Sequence, residues 1–507
     1  MRCPSGGCAC PDISFRWRGS GAWRWRLRRT DLERVIAIDQ GTTATKVFTL
    51  DAEGGFTSIM ARPHRQHRPH PEWVEHDPEE LVAGIVAGLA AAGEGRAIGL
   101  ANQGETVVAW DGETGRPLYN AIVWQDARTR AFIDRLKADG SEALTLARAG
   151  LPLDPYFSAS KLRWLLDHAE GAGSLLAAGR LRLGTSDAFF LDRLCGCFAT
   201  DVTTASRTSL MNLATRDWDP ELCRLFGVPL SALPPIRPTV GEFGRIGGSG
   251  TAVVASIVDQ QAALFGHGCR RAGDAKITFG TGAFALMLTG GGPKGDPSSG
   301  LLPTVAWQIG REVSYALDGG VYNAGSAIDW LKSLGLFKDY GELDGFSGPS
   351  MLARGLVFVP ALSGLGAPYW DRSAAGLWLG LGLETSRADL LRSALEGIAL
   401  RAAQVLERMA SSASLAGPLS IDGGLSRNRF FLETLAAATG LAVKVPMIAD
   451  LTAYGVGLCA LLGAGLVPRI SELPQAPSGA VIEPEQCLER SLKERFAQAV
   501  ERARSWR

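Results

Sequence analysis

Three short stretches combine glycine with hydroxyl and amide side chains: "DQGTT" (39–43), "FGTG" (279–282) and "IDGGLSRN" (421–428). Each follows or closes an apolar run that reads as a buried strand. Glycine lets the backbone approach a ligand, and N–H groups and threonine hydroxyls can donate to phosphate oxygens. Two such turns, one in each half of the chain, are what a nucleotide phosphate clamp requires. The third, a strand end with paired glycines before a helix start, suits the nucleotide's distal end. Asp39, ahead of the first turn, is the acid that could hold Mg²⁺. Taken alone, "DQGTT" also suits an ordinary hairpin.

Two further places could carry chemistry. Asp259 closes the apolar run 253–258, where a carboxylate could face a cleft and act on a substrate; a helix N-cap is the alternative use of the same geometry. In "NQGET" (102–106), Asn102, Gln103 and Glu105 offer polar groups to a ligand, and Gly104 between them offers none.

The elements needed to position these residues alternate along the chain. Residues 35–38 read as a buried strand and 46–50 as its return; helices are expected at 78–92, 158–168 and 186–194, with strands at 97–101 and 106–110. A second set opens with a strand at 253–258. "KITFGTGAFALMLT" (276–289) then repeats the strand, Gly/Thr turn, strand layout of the opening hairpin. Helix 388–409, strand 418–422, helix 428–439, strand 442–446 and helix 453–465 complete it. The turn-rich stretch 239–251 reads as the crossing between two α/β halves.

At 507 residues the chain is long enough for two large cores. A formal net charge of zero gives no reason to expect nucleic acid or a membrane surface as partner. Nine cysteines without regular spacing fit a reducing compartment, and the expected location is cytoplasmic with no transmembrane helix. The first thirty residues differ, with seven arginines against one acid and a cysteine cluster at Cys3, Cys8 and Cys10. They lack the apolar centre of a secretory signal and read as a basic, disordered extension. The expected division is 1–32 extension, 33–252 first domain, 253–475 second domain and 476–507 C-terminal segment.

With the three glycine-rich stretches in this order, the chain resembles the sugar and polyol kinases of the FGGY family, in the actin-like ATPase superfamily, from about residue 35 to 483. "YFSASKLRWLLDH" (156–168) and "GLWLGLGLETSRADLLRSALE" (376–396) are similar to the family's two signatures. Within the family, "NAIVWQDART", "DPYFS", "DQQAALFG", "FGTGAF" and "GLGAPYWD" are similar to segments of the glycerol kinases. The resemblance implies two ribonuclease H-like α/β domains around an interdomain cleft that closes on its substrates. The implied reaction is ATP-dependent, Mg²⁺-assisted phosphorylation of a small polyol or sugar, by a homodimer or homotetramer.

Position by position, Asp259 is implied as general base and Asp39 as Mg²⁺ ligand. Glu105, Trp124, Tyr156, Asp259, Gln260 and Phe284 are implied at the polyol site. Thr42, Thr43, Lys46, Gly280, Thr281, Gly282, Gly325, Asp329, Gly424 and Asn428 are implied at the nucleotide. Asp329 stands where glycerol kinases usually have glutamine, and Lys46 where an arginine is usual. Gly104 stands where they carry an arginine that binds substrate hydroxyls. The missing donor leaves two readings, a tolerated loss in a glycerol kinase or space for a longer polyol or ketose. A non-catalytic nucleotide-binding protein is a third reading, against which the presence of both Asp39 and Asp259 argues. Four of the six histidines, His64, His67, His70 and His76, fall in a Pro/Arg-rich stretch expected to be a solvated loop. The segment 247–254 lacks the arginine by which some bacterial relatives bind fructose 1,6-bisphosphate, so that feedback is not expected.

Overall fold

The computed structural model describes residues 33–294 and 299–507; the 1–32 extension and its cysteines lie outside them. The first half is built on β1 (Arg34–Gln40), β2 (Ala44–Asp51) and β3 (Phe56–Pro63), an antiparallel meander in which Asp39 stands opposite Lys46. Helix α1 (Pro78–Ala92) starts where Asp77 accepts the Glu79 N–H and Pro78 presets the first turn. It crosses over to β4 (Ile98–Asn102), which pairs parallel with β1. Helix α2 (Ser158–His168) carries the first signature.

Beyond β5 (Val240–Arg245), β6 (Ala252–Val258) leads straight into α3 (Asp259–Gly266). The second half repeats the plan. Strands β7 (Ala275–Phe279) and β8 (Ala283–Gly290) form the second Gly/Thr hairpin; β9 (Leu302–Ile309) and β10 (Glu312–Val321) extend it. Helices α4 (Gly325–Ser333) and α5 (Arg387–Ala410) precede β11 (Leu419–Gly423), which runs parallel to β7. Then come α6 (Arg429–Thr439), β12 (Val443–Pro446), α7 (Leu451–Gly463), β13 (Ser478–Ile482) and α8 (Arg490–Ala503).

These thirteen strands form the largest sheet among the described residues, in the order β13-β12-β11-β7-β8-β10-β9-β5-β6-β4-β1-β2-β3. The run β10-β8-β7-β11-β12 reproduces β3-β2-β1-β4-β6, so the echo between the two hairpins extends to five strands. The turn-rich crossing contains β5, antiparallel to β6 on one side and touching β9 through the single bridge Val240/Ile309 on the other.

Two elements depart from the expected division. Strand β6, read as the opening of the second half, pairs parallel with β4 inside the first half's sheet. Its seven residues are all buried, as suits a central parallel strand covered on both faces. Helix α7 lies late in the chain yet packs on the first half: Leu451, Tyr454, Val456 and Leu458 share one core with Val35, Ala37 and Leu50. Its Gly455 lies so close under α3 that a Cβ there would run into the Ala262 carbonyl. The first half therefore extends through α3 and is completed by α7. Among the described residues no helix is long and apolar enough to cross a membrane.

Candidate active site

Strands β1, β4 and β6 lie side by side, and Asp39 at the end of β1, Glu105 just after β4 and Asp259 just after β6 come to one region. Ligands bind beyond the carboxyl ends of parallel strands for this reason. A cavity of about 140 Å³ opens there, and Glu105, Trp124, Tyr156, Asp259, Gln260 and Phe284 all line it.

Each of these side chains is held by something specific. Glu105 adopts φ +58°, a left-handed conformation that non-glycine residues avoid; strain of this kind persists where the surroundings enforce it. Lys161, in the first turn of α2, is fully buried and donates to the carbonyls of Pro155, Tyr156 and Phe157, fixing the loop that presents Tyr156. Trp124 is tied by its ring N–H to Thr42 Oγ1 at 3.0 Å and stands edge-on to Tyr156. Gln260 is oriented by the buried Lys276, whose Nζ lies 2.5 Å from Gln260 Oε1. Asp259 is the first residue of α3, and one of its oxygens accepts the Gln260 N–H at 2.7 Å. Val258 occupies the N-cap position, so Asp259 is not the helix's cap.

The charges at this end of the cleft are poorly compensated. Burial raises the pKa of Asp259 to about 7, helped by the negative charges of Glu105 and Asp39. Burial likewise raises Asp39 to about 6; the Lys46 cation opposes the shift and Asp450 reinforces it. Carboxyl groups whose ionisation is resisted suit a site that receives a cation. Among the described residues no group of three or more His, Cys, Asp or Glu could hold a metal. Asp39 and Asp259 could offer one or two carboxylates to a divalent ion held otherwise by waters and phosphate oxygens, as Mg²⁺ is in phosphoryl-transfer sites.

The second hairpin turn opens on a larger cavity of about 510 Å³ lined by Gly280, Thr281, Gly325, Asp329, Gly424 and Asn428, with Ile328 and Leu343 as apolar walls. Glycine is needed at 325, since a Cβ there would stand 2.5 Å from the Gly280 carbonyl oxygen. Gly282 lies off the wall and tightens the turn, its Cα facing the Val321 carbonyl. Asp329 accepts a hydrogen bond from the Tyr340 hydroxyl at 3.0 Å. Asn428 accepts the Phe431 N–H at the start of α6 and donates to the Leu343 carbonyl, so its amide serves the fold of the wall.

The structure adds detail at the first turn and its surroundings. Thr42 lines the smaller cavity, while Asp39, Thr43 and Lys46 line neither of the two. Lys46 Nζ is engaged by Asp450 at 2.6 Å, because the pairing of β1 with β2 places it beside the acidic cluster. The histidine stretch is only partly solvated. His76 is fully buried against Gln103, and His64 Nε2 lies 2.9 Å from the Thr42 carbonyl, so both buttress the turn from behind. The space expected beside Gly104 is closed at its base, where a Cβ would stand 2.5 Å from Val258 Cγ2.

Sequence reading missed Val258, Arg207 and Asp318, which also line the smaller cavity. Arg207 Nε donates to Glu105 Oε1 at 2.7 Å, and Nη2 lies 2.9 Å from Asp318 Oδ2. The available signal was a lone charge in the otherwise uncharged run 202–215.

The chain matches known proteins along most of its length. The N-terminal domain of the FGGY family of carbohydrate kinases matches residues 34–266 and its C-terminal domain residues 275–464. A glycerol kinase from Citrifermentans bemidjiense is 41% identical over 476 residues, covering 90% of this chain and 96% of its own. One from Thermus brockianus is 40% identical over 493 residues, covering 94% and 99%. Among solved structures, Plasmodium falciparum glycerol kinase with ADP superposes with a TM-score of 0.86 at 29% identity, covering 93% of this chain and 98% of its own.

Proposed function

The chain belongs to the FGGY family of carbohydrate kinases, and from that premise we propose that it transfers the γ-phosphoryl group of ATP to a terminal hydroxyl of glycerol. The observation that carries this reading is the smaller cavity, in which Asp259 shares one small space with Glu105, Arg207 and three aromatic rings. Polar groups read hydroxyls there, and Trp124, Tyr156 and Phe284 cover C–H faces.

Asp259 accepts the proton of the attacking hydroxyl, whose oxygen bonds to the γ-phosphorus as the bond to the bridging oxygen of ADP breaks. Phosphoryl transfer asks the protein mainly for positioning and charge stabilisation, so one carboxylate base is enough. Asp39 would hold Mg²⁺, which neutralises charge on the transferring phosphates when bound. The Gly280–Thr281 turn and Gly325 receive the nucleotide through backbone groups, and closure of the cleft excludes water. A homodimer or homotetramer is proposed on the resemblance alone, with sedimentation as its check.

The test is ATP-dependent phosphorylation by purified protein across glycerol, dihydroxyacetone, erythritol, xylitol, ribitol, D-xylulose and D-ribulose. Glycerol is expected to lead in kcat/KM by tenfold or more, because Val258 closes the position at which a longer substrate was expected to extend. A lead for any tetritol, pentitol or ketopentose rejects the assignment.

A further inference from the structure

We propose that Arg207, bonded to Glu105 in the lining of the smaller cavity, supplies the guanidinium that reads a substrate hydroxyl, while Gly104 and Val258 form a matched pair that closes the route from position 104. The inference rests on the polyol-kinase reading and specifies which residue recognises the polyol.

Three observations carry it. The Arg207 side chain is 5% exposed, and Nε and Nη2 are engaged by Glu105 and Asp318. Its third nitrogen, Nη1, is buried and has no hydrogen-bond partner, in a residue that lines the cavity. A guanidinium N–H left unpaired away from water is costly, and a ligand hydroxyl brought against it as the cleft closes would relieve it. Second, the side chain is anchored at both ends. Its backbone follows the short helix Val202–Ala205, capped by the buried Asp201, and Ser206 Oγ lies 2.8 Å from Thr304 Oγ1. Its guanidinium lies beside the rings of Tyr156 and Phe157. Third, the first carbon of a side chain at 104 would stand 2.5 Å from Val258 Cγ2, and this β-branched side chain is stiff.

The Glu105–Arg207 pair thus sets a carboxylate acceptor next to a guanidinium donor. Two adjacent hydroxyls, each able to donate and accept, match that arrangement, so the recognised class is a vicinal diol. Propane-1,3-diol keeps a phosphorylatable terminus and lacks the central hydroxyl.

The experiment compares kcat/KM for glycerol and propane-1,3-diol in the wild type and in Arg207→Lys, which keeps a cation between Glu105 and Asp318 and loses the fork. The ratio does not depend on the fraction of active enzyme. The wild type is expected to prefer glycerol by roughly ten- to a hundredfold, the worth of one charge-assisted hydrogen bond, and the preference should shrink at least fivefold in Arg207→Lys with the KM for ATP unchanged. A ratio within twofold of wild type overturns the role of Arg207. Should the lysine variant be inactive toward both substrates, Arg207→Gln/Asp318→Asn, which removes a buried cation and a buried carboxylate together, is read in the same way. For the matched pair, Gly104→Arg is expected to raise the KM for glycerol at least tenfold and Gly104→Arg/Val258→Gly to recover most of the loss; equal defects in the two overturn it. A wild type that phosphorylates no diol rejects the functional reading and this inference together. Glycerol turnover with an unchanged ratio rejects the inference alone.

Discussion

The two cavities are built from different material. The smaller is a ring of side chains whose charges meet directly, with Arg207 between Glu105 and Asp318 and Asp259 nearby. The larger has Gly280, Gly325, Gly341 and Gly424 and the apolar Phe279, Ile328, Leu343 and Leu425 in its wall, with its charges, Asp329, Asp344 and Arg427, set among them. A side-chain site discriminates by functional group, and changing one residue alters its chemistry. A backbone site discriminates by shape, and it is altered mainly by adding atoms.

The largest expected effect comes from removing the base. Asp259→Asn should lower kcat by roughly 10²–10⁴, the usual contribution of a positioned proton acceptor, and leave ATP binding by calorimetry unchanged. Turnover within a few fold of wild type would reject Asp259 as base. The contrasting substitution is Gly325→Ala, whose new methyl meets the Gly280 carbonyl. Overpacking of this kind costs about 1–3 kcal/mol, so the KM for ATP should rise several-fold to about a hundredfold while that for glycerol moves less than twofold. If both constants rise together, the two cavities are not separable in this way.

A pH series sharpens the contrast further. With Asp259 raised to about 7 and Asp39 to about 6, kcat/KM should fall by up to about tenfold per unit as pH drops below 7, the acid limb belonging to the coupled pair. The stability contribution has the opposite sign. A carboxyl whose folded pKa is raised favours the folded state while protonated, so its contribution is fully present near pH 4 and is lost as pH rises through about 7. Asp259→Asn should therefore melt higher than wild type at pH 8, by on the order of 2 °C, and the gap should narrow at pH 5 and close below about pH 4. A gap of equal size at both pH values would show that Asp259 ionises freely. The smallest effect is expected at the edge of the cleft. Lys46→Met removes a partly exposed pair with Asp450 and should cost less than about 1 kcal/mol in a urea melt. A large rise in the KM for ATP in that variant would return Lys46 to the phosphates.

Much of this was legible because the signals were local. Both hairpin turns, the starts of α1 and α2 and the glycines at 280 and 424 are written in a few consecutive residues. What was not legible depends on distant partners. Arg207 reads as an ordinary polar residue until Glu105 and Asp318, far from it in the chain, are brought against it. The place of β6 follows from parallel pairing with β4, which no short-range pattern encodes. Gly104 appeared as a missing contact because its complement, Val258, lies on another strand. His64 and His76 sit in a stretch of solvent-loving composition, and only the packing of the first turn buries His76 and half-buries His64.

The packing of α7 onto β1 and β4 also bears on how the protein is made. The first half's apolar face is uncovered when the ribosome finishes α3, and its cover is synthesised only with residues 451–463. At roughly 5–20 residues per second, the intervening stretch takes on the order of 10–40 s to emerge. Through that interval the nascent chain presents an incomplete core, which makes it a natural client for chaperones, and a fragment ended at residue 266 should aggregate rather than fold.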